Sequence, residues 1–199
     1  INRVKSSGAE MLEVNKRVFE KISYRENPDG WLAILPALKR SLAEIQLGDN
    51  PLIVVIESVE KPGNLGAMLR TSEAAGVDAV IICDPKTDLG NPNVLRPSRG
   101  TLFTLQIAVT TSEEAIRWLK AGGIKTVAAT PEGKTAYTDV NLNQPIAIIV
   151  GAEDKGLSVL WRDQADMQAS IPMFGKINSL NVSVSTALFV YESIRQRNL

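Results

Sequence analysis

The sequence contains no histidine, and it has one cysteine among its 199 residues. Without histidine, the Ser-His-Asp and Cys-His schemes of nucleophilic catalysis are excluded, and so are histidine-based metal sites. A single thiol forms neither an internal disulfide nor a cysteine zinc site. Cys83 lies in the apolar run 79–83, which favours a small buried side chain over a redox role. Chemistry must therefore come from Arg, Lys, Asp, Glu, Ser, Asn or the backbone, and we expect no metal.

The chain also lacks a net charge, because 22 basic residues balance 22 acidic ones. A general electrostatic attraction for nucleic acid is therefore excluded, and any RNA site must be a local basic patch. The sequence has no apolar run long enough to span a membrane and no signal-peptide pattern. We therefore expect a cytoplasmic protein with no membrane partner.

Residues 1–50 differ from the rest of the chain in their pattern of apolar and polar residues. They contain a partly helical spacing at residues 11–22, a turn at 27–30 and a candidate strand at 31–35. These pieces are too few to close a domain. We interpret residues 1–50 as the end of an α/β module with a linker, although an extension packed on the main domain fits the length equally well.

From residue 52 onwards, apolar strands alternate with helical segments, which predicts an α/β fold with a parallel sheet. Strands are expected at residues 52–56, 77–83, 103–109, 126–130, 146–150 and 167–171, and the last, more polar run is a candidate edge strand. Helices are expected at residues 65–75, 112–121 and 182–195, and a short helix followed by a loop is expected at residues 91–100. Ser112 is expected to cap the helix at residues 112–121, and Gly76 to end the helix at residues 65–75.

The most informative stretch is residues 171–183, IPMFGKINSLNVS. Pro172 stops an apolar run, a glycine-containing loop follows, and small polar residues lead into an apolar helical segment. Ser179 and Asn181 suit a helix cap, because each accepts a hydrogen bond from a free first-turn amide. By itself, this pattern also fits an ordinary loop before a buried helix.

Two further motifs follow predicted strands. GNLGAMLR at residues 63–70 has the layout of a nucleotide-binding turn, yet it is neither a dinucleotide fingerprint nor a P-loop. The pattern around Arg70 also fits an arginine that is simply exposed to solvent on a helix. GAEDKGLS at residues 151–158 lies at the carboxyl end of a strand, where parallel sheets bind ligands. Its glycines allow the backbone to approach a flat ring, although a surface turn capped by Ser158 is the alternative.

The three motifs, in this order, resemble the signatures of the SpoU (TrmH-type) RNA 2'-O-ribose methyltransferase family of the SPOUT class. The resemblance covers roughly residues 50–199. It implies a parallel-sheet, Rossmann-like SPOUT methyltransferase domain at residues 51–199 with a C-terminal trefoil knot, an exception to the usual topology rules. Residues 1–50 would then be a partial RNA-binding module and linker.

The resemblance also implies the site residues. The catalytic positions of the family fall on Asn64, Arg70, Glu153, Ser179 and Asn181. The positions that would contact the cofactor, S-adenosyl-L-methionine, are Thr130, Gly151, Gly156, Ile171, Met173 and Leu180. Arg96 and Arg99 would contact RNA phosphate. The family usually has a polar residue where this chain has Ala152, so one hydrogen bond to the cofactor is in question.

The implied function is methylation of a ribose 2'-hydroxyl in rRNA or tRNA. Arg70 is expected to clamp RNA phosphate and ribose from across a homodimer, and its action as the base remains an alternative. The helix at residues 182–195 is apolar on most sides, which favours a dimer interface over burial in one subunit. Two other functions stay open: a non-catalytic RNA-binding protein with the same knotted fold, and a methyltransferase acting on a base or a protein.

Overall fold

The computed structural model of the chain describes Val4, residues 6–36 and residues 40–198. These residues fall into two units, which divide after residue 37, earlier than the boundary expected near residue 50. Parts of the predicted N-terminal module, residues 1–3, 5 and 37–39, lie outside the described residues. The role of residues 1–50 as an RNA-binding module therefore stays a prediction.

The smaller unit contains helix α1 (Lys16–Ile22), whose first turn is capped by the side chain of Asn15. Residues 31–35, which were expected to form a strand, have no regular structure and are exposed. A strand requires a hydrogen-bonding neighbour, and no described residue pairs with this segment. The strand prediction at residues 31–35 is therefore wrong.

The larger unit is built on a parallel sheet of seven strands. Its strands are β1 (Leu52–Glu57), β2 (Ala79–Cys83), β3 (Ile107–Thr110), β4 (Lys125–Ala129), β5 (Thr135–Ala136), β6 (Ile146–Val150) and β7 (Met167–Ser170). Their order across the sheet is β3-β2-β1-β6-β4-β7-β5, and every pairing is parallel. The predicted parallel α/β class is confirmed, while passage of the C-terminal segment through a knot stays a prediction.

The central strands β1, β2 and β6 are buried along their whole length, as continuous β-branched runs predict. Two strand predictions need correction. Strand β7 lies between β4 and the short β5 rather than at the edge, because β5 pairs with its outer side. The strand expected at residues 103–109 begins at Ile107, since residues 101–103 form a 3-10 turn.

Helices cover both faces of the sheet, and alternate residues of β1 contribute to the two apolar clusters between them. The helices are α2 (Pro62–Ala74), α3 (Pro92–Ser98), α4 (Ser112–Ala121), α5 (Val159–Gln164) and α6 (Val182–Arg197). Buried residues of α2, α3 and α6 join one cluster, and those of α4 and α5 join the other. None of the described helices has the length and hydropathy needed to cross a membrane.

Helix α2 begins earlier than predicted, because Pro62 occupies its first turn, where the missing proline N–H costs no hydrogen bond. Gly63 and Asn64 consequently lie inside the helix. Gly76 follows α2 with a φ of 68°, the left-handed conformation expected of a glycine that ends a helix. Helix α4 is capped by Thr111 rather than Ser112, because the Thr111 hydroxyl accepts the hydrogen bond from Glu114 N.

The Ser112 hydroxyl instead belongs to a buried polar network at the carboxyl ends of β1 and β2. It accepts a hydrogen bond from Trp161 Nε1 at 2.9 Å and donates to Asp84 Oδ2 at 2.6 Å. Beside it, Glu57 Oε2 accepts from Ser158 N at 2.8 Å. The network therefore ties the first turns of α4 and α5 to the ends of the central strands.

Cys83 lies at the end of β2 next to this network and is completely buried. Burial away from water raises the pKa of its thiol to about 12, and the nearby carboxylates of Asp84 and Glu57 act in the same direction. The thiol is therefore neutral at physiological pH, as expected of a packing residue rather than a redox centre.

Helices α2 and α3 approach each other closely at Gly66. A Cβ atom at this position would overlap the carbonyl oxygen of Val94 and would lie 3.0 Å from Pro97 Cβ. The close contact holds α3, with its exposed Arg96 and Arg99, against α2.

We expect Gly66→Ala to lower the free energy of unfolding by about 1–3 kcal/mol, because the added methyl group overpacks this contact. Gly63→Ala is the matched control on the same helix, since a Cβ atom there has no neighbour within 4 Å. It should leave stability unchanged or raise it by up to about 1 kcal/mol. Urea denaturation measures both, and equal effects of the two substitutions would contradict the packing argument.

Candidate active site

Several loops meet at the carboxyl edge of the sheet, because all its strands run in the same direction. Residues 58–61 connect β1 to α2, and residues 151–158 connect β6 to α5. Residues 130–134 follow β4, and residues 171–181 connect β7 to α6. The three motifs of the sequence are therefore brought to one edge.

Asn64, in the first turns of α2, joins two of these loops. Its Nδ2 atom donates a hydrogen bond to Glu153 Oε1, and its Oδ1 atom accepts one from Asn181 Nδ2 at 3.2 Å. An amide has its donor and its acceptor on opposite atoms, so the two bonds together fix its orientation. The structure thus brings three of the five predicted catalytic residues into one cluster, Asn64–Glu153–Asn181.

Asn181 is also the cap of α6, since its Oδ1 atom accepts a hydrogen bond from Ser183 N at 2.9 Å. This confirms the cap predicted at Asn181. Ser179 was the second candidate cap, but it is exposed and makes no hydrogen bond with any described residue. The cap prediction for Ser179 is wrong, because the helix begins later, and its catalytic role stays a prediction.

Arg70 lies apart from this cluster. It is exposed on α2, and it forms neither a hydrogen bond nor an ion pair with a described residue. Six residues of helix place it roughly 9 Å along the axis from Asn64 and about 120° around it. Arg70 therefore lies on a different side of α2 from Asn64.

Arg96 and Arg99 lie on and directly after α3, which packs against α2. Both side chains are exposed, and neither forms an ion pair within the described part of the chain. With Arg70, they are three exposed arginines on or next to one pair of packed helices. They are candidates for the local basic patch that the neutral net charge requires of an RNA site.

The loop after β6 is a tight turn that needs two glycines. A Cβ atom at Gly151 would overlap the carbonyl group of Gly156, and it would lie 2.5 Å from Leu157 N. Gly156 has a φ of 65°, and its N–H donates to Ala152 O at 2.9 Å. The turn therefore presents backbone at the sheet edge and holds Glu153 at its tip.

The loop after β4 passes over the end of β7 at a distance as short as that within the Gly151 turn. A Cβ atom at Gly133 would lie 2.5 Å from the backbone carbon of Ala169, and Thr130 N donates to Ala169 O at 3.0 Å. The buried Thr130 hydroxyl donates to Glu132, and this hydrogen bond lowers the pKa of the Glu132 carboxyl. Thr130 is thus fixed at the edge where a cofactor contact was predicted.

The remaining predicted cofactor residues lie in the loop after β7. Ile171, Met173 and Leu180 are half-buried, while most of the side chains between them are exposed. The loop therefore has an inner side with apolar side chains and an outer side in solvent.

Sequence reasoning missed Glu57. Glu57 ends an apolar strand, where a carboxylate is ordinarily solvated. Its burial follows from the Ser158 amide, which comes from a distant part of the chain and is not visible in the local pattern.

Residues 51–191 match the SpoU rRNA Methylase family. Over 150 residues, the chain is 37% identical to the 23S rRNA (guanosine-2'-O-)-methyltransferase RlmB of Pseudomonas putida, covering 75% of this chain and 60% of the relative. The chain thus spans about three fifths of the length of several curated relatives that it matches.

Solved structures give the same result over nearly the whole chain. A crystal structure of an RNA 2'-O ribose methyltransferase superposes with a TM-score of 0.82 at 42% identity, covering 100% of this chain and 76% of that one. An AdoMet-bound rRNA methyltransferase from Sinorhizobium meliloti superposes with a TM-score of 0.91 at 31% identity, covering 98% and 75%. With the matched motifs and their common sheet edge, these similarities show that the chain belongs to the SpoU rRNA methylase family.

Proposed function

We propose that this protein methylates a ribose 2'-hydroxyl of rRNA or tRNA and uses S-adenosyl-L-methionine as the methyl donor. The observation that carries the proposal is the Asn64–Glu153–Asn181 cluster, which assembles three separate motifs at the ligand-binding edge of a parallel sheet. The names of the relatives support a ribose target over a base or a protein. These RNAs are cytoplasmic in bacteria, so we propose the same location for the protein.

The loops fit the cofactor. Gly151 and Gly133 lie where side chains would collide with neighbouring backbone, so the edge is lined by backbone groups that a flat ring can approach. The half-buried Ile171, Met173 and Leu180 add an apolar wall. When bound, S-adenosylmethionine supplies a methyl group already activated by its sulfonium.

The protein must hold the ribose hydroxyl in line with that methyl group and receive the hydroxyl proton. Glu153 is the carboxylate of the cluster, and Asn64 holds it in place, so we assign Glu153 as the proton acceptor. The guanidinium of Arg70 is planar, and its fork of N–H donors suits phosphate and ribose oxygens. We therefore assign Arg70 to clamping the RNA.

In a homodimer, Arg70 of one subunit could reach the Asn64–Glu153–Asn181 cluster of the other. Helix α6 exposes Val184 and Tyr191 on one side, with the half-buried Leu188 between them, at the spacing of a helix face. A second copy of this face is the proposed cover. Since Arg70 lies on a different side of α2 from Asn64 and contacts no member of the cluster through a hydrogen bond, we propose that it serves the partner's cluster.

We expect Gly151→Ala to weaken binding of S-adenosylmethionine at least tenfold, because the methyl group would force the two ends of the loop apart. Gly175→Ala, in the loop after β7, is the matched control, since a Cβ atom there has no neighbour within 4 Å. Titration calorimetry measures both affinities. A folded wild-type chain that binds no S-adenosylmethionine would refute the proposed function.

Arg70→Ala should abolish methyl transfer to RNA and leave cofactor affinity nearly unchanged, because the side chain contacts RNA rather than the cofactor. Arg70→Lys should restore little activity, since a point charge lacks the guanidinium fork. Labelled cofactor and total RNA provide the assay. Full activity of Arg70→Ala would show that this assignment is wrong.

Mixed dimers test the transfer of Arg70 between subunits. An Arg70→Ala subunit paired with a Gly151→Ala subunit should regain about one working site per dimer, because the first keeps its cofactor loop and the second keeps its arginine. In the matched control, both subunits of the dimer carry Arg70→Ala, and this mixture should remain inactive. Recovery no greater than in that mixture would place Arg70 in its own subunit's site.

Tyr191→Glu should convert the dimer to a monomer at micromolar concentration, because it buries a charge in the proposed α6 interface. Lys120→Glu, on the exposed side of α4, is a control that changes charge away from α6. Sedimentation velocity distinguishes the two states. A monomeric wild type would contradict both the interface and the proposed exchange of Arg70.

A further inference from the structure

The loop between β7 and α6 exposes more apolar surface than packing of the subunit explains. Phe174 is 97% exposed and Ile177 is 64% exposed, and both lie between Met173 and the Asn181 cap. Large apolar side chains that extend from a loop beside a candidate site are typical of a surface that binds a partner. Phe174 therefore does not serve core packing, and its exposure indicates that it contacts a ligand.

The two sides of this loop differ in what they contact. Along residues 171–174, Ile171 and Met173 are half-buried, whereas Pro172 and Phe174 are exposed. This alternation of burial places Met173 on the inner side of the loop, with the predicted cofactor positions, and Phe174 on the outer side. A ligand of Phe174 is thus different from the cofactor.

The chemistry around Phe174 favours a nucleic acid. Lys176 is exposed two residues further on, and residues 171–191 contain no Asp or Glu. Residues 173–180 make no hydrogen bond or ion pair with any residue that the structure describes. An aromatic ring beside an uncompensated ammonium group matches a nucleobase and its phosphate.

We propose that Phe174 stacks on an unpaired base of the RNA substrate while Lys176 contacts the adjacent phosphate. This inference rests on the proposed function, because the loop ends at Asn181, where the target ribose would lie. All four bases have a stacking face, so the contact contributes affinity and position rather than sequence preference. Phe174 would then hold the target nucleotide against the cluster.

The first test uses three substitutions and total RNA as substrate. Phe174→Ala and Phe174→Leu should each raise the KM for RNA about tenfold or more, with kcat and cofactor affinity unchanged. Phe174→Tyr should restore the wild-type KM, because it keeps the aromatic face. Leucine keeps the apolar area without that face, so a wild-type KM for Phe174→Leu would overturn the stacking proposal.

A binding experiment tests the contact without methyl transfer. In Phe174→Trp, an adenylate oligonucleotide should quench the fluorescence of the new tryptophan, after subtraction of the wild-type signal. An abasic oligomer of equal length, which carries the same phosphates, should not quench it. Equal quenching by the two oligomers, or quenching by neither, would overturn the proposal.

The outcomes separate this inference from the proposed function. Methyl transfer by the wild type together with an unaffected Phe174→Leu overturns the inference alone. Absence of transfer to any RNA, with quenching by the adenylate oligomer, overturns the enzymatic function and supports the stacking contact. Dissociation of the dimer by Phe174→Ala overturns the inference, because the ring would then be covered by the partner subunit.

Discussion

The side-chain amide of Asn64, held between Glu153 and Asn181, is the contact on which the arrangement of the site depends. It joins helix α2, which follows β1, to the loops that follow β6 and β7. These segments are far apart in the sequence, so contacts between neighbouring residues could not bring them together. Each partner is held from elsewhere, Glu153 by a glycine turn and Asn181 by its cap on α6. The cluster is therefore only as ordered as the loops that supply it.

A second level of support lies beneath those loops. Glu57 accepts a hydrogen bond from Ser158, at the far end of the Gly151 turn, so a buried carboxylate at the end of β1 fixes the base of the turn after β6. Because β1 also leads into α2, the same strand end positions both Asn64 and Glu153. Breaking this bond would remove the backbone donor of a buried carboxyl group, which costs more than losing an exposed contact of the same kind.

Much of this organisation was visible in the sequence, and the exceptions have physical causes. The β-branched runs at 52–56 and 146–150 identified the central strands, because only a sheet covered on both faces buries every residue. The edge position of β7 was predicted wrongly, since it depends on a two-residue strand that pairs with the outer side of β7. The cap was predicted one residue too late, because Thr111 caps the helix while Ser112 bonds to Asp84 and Trp161. The motifs identified Asn64, Glu153 and Asn181, but their hydrogen bonds required the fold.

The burial of Cys83 has a practical consequence for study of this protein. Its thiol is buried and has a raised pKa of about 12, so thiol reagents would leave the native residue unmodified at pH 7. Because it is the only cysteine of the chain, no background substitution is needed before a new one is introduced. A dye or spin label attached through an introduced surface cysteine would report from a single known position, while the core around Cys83 keeps its native sequence.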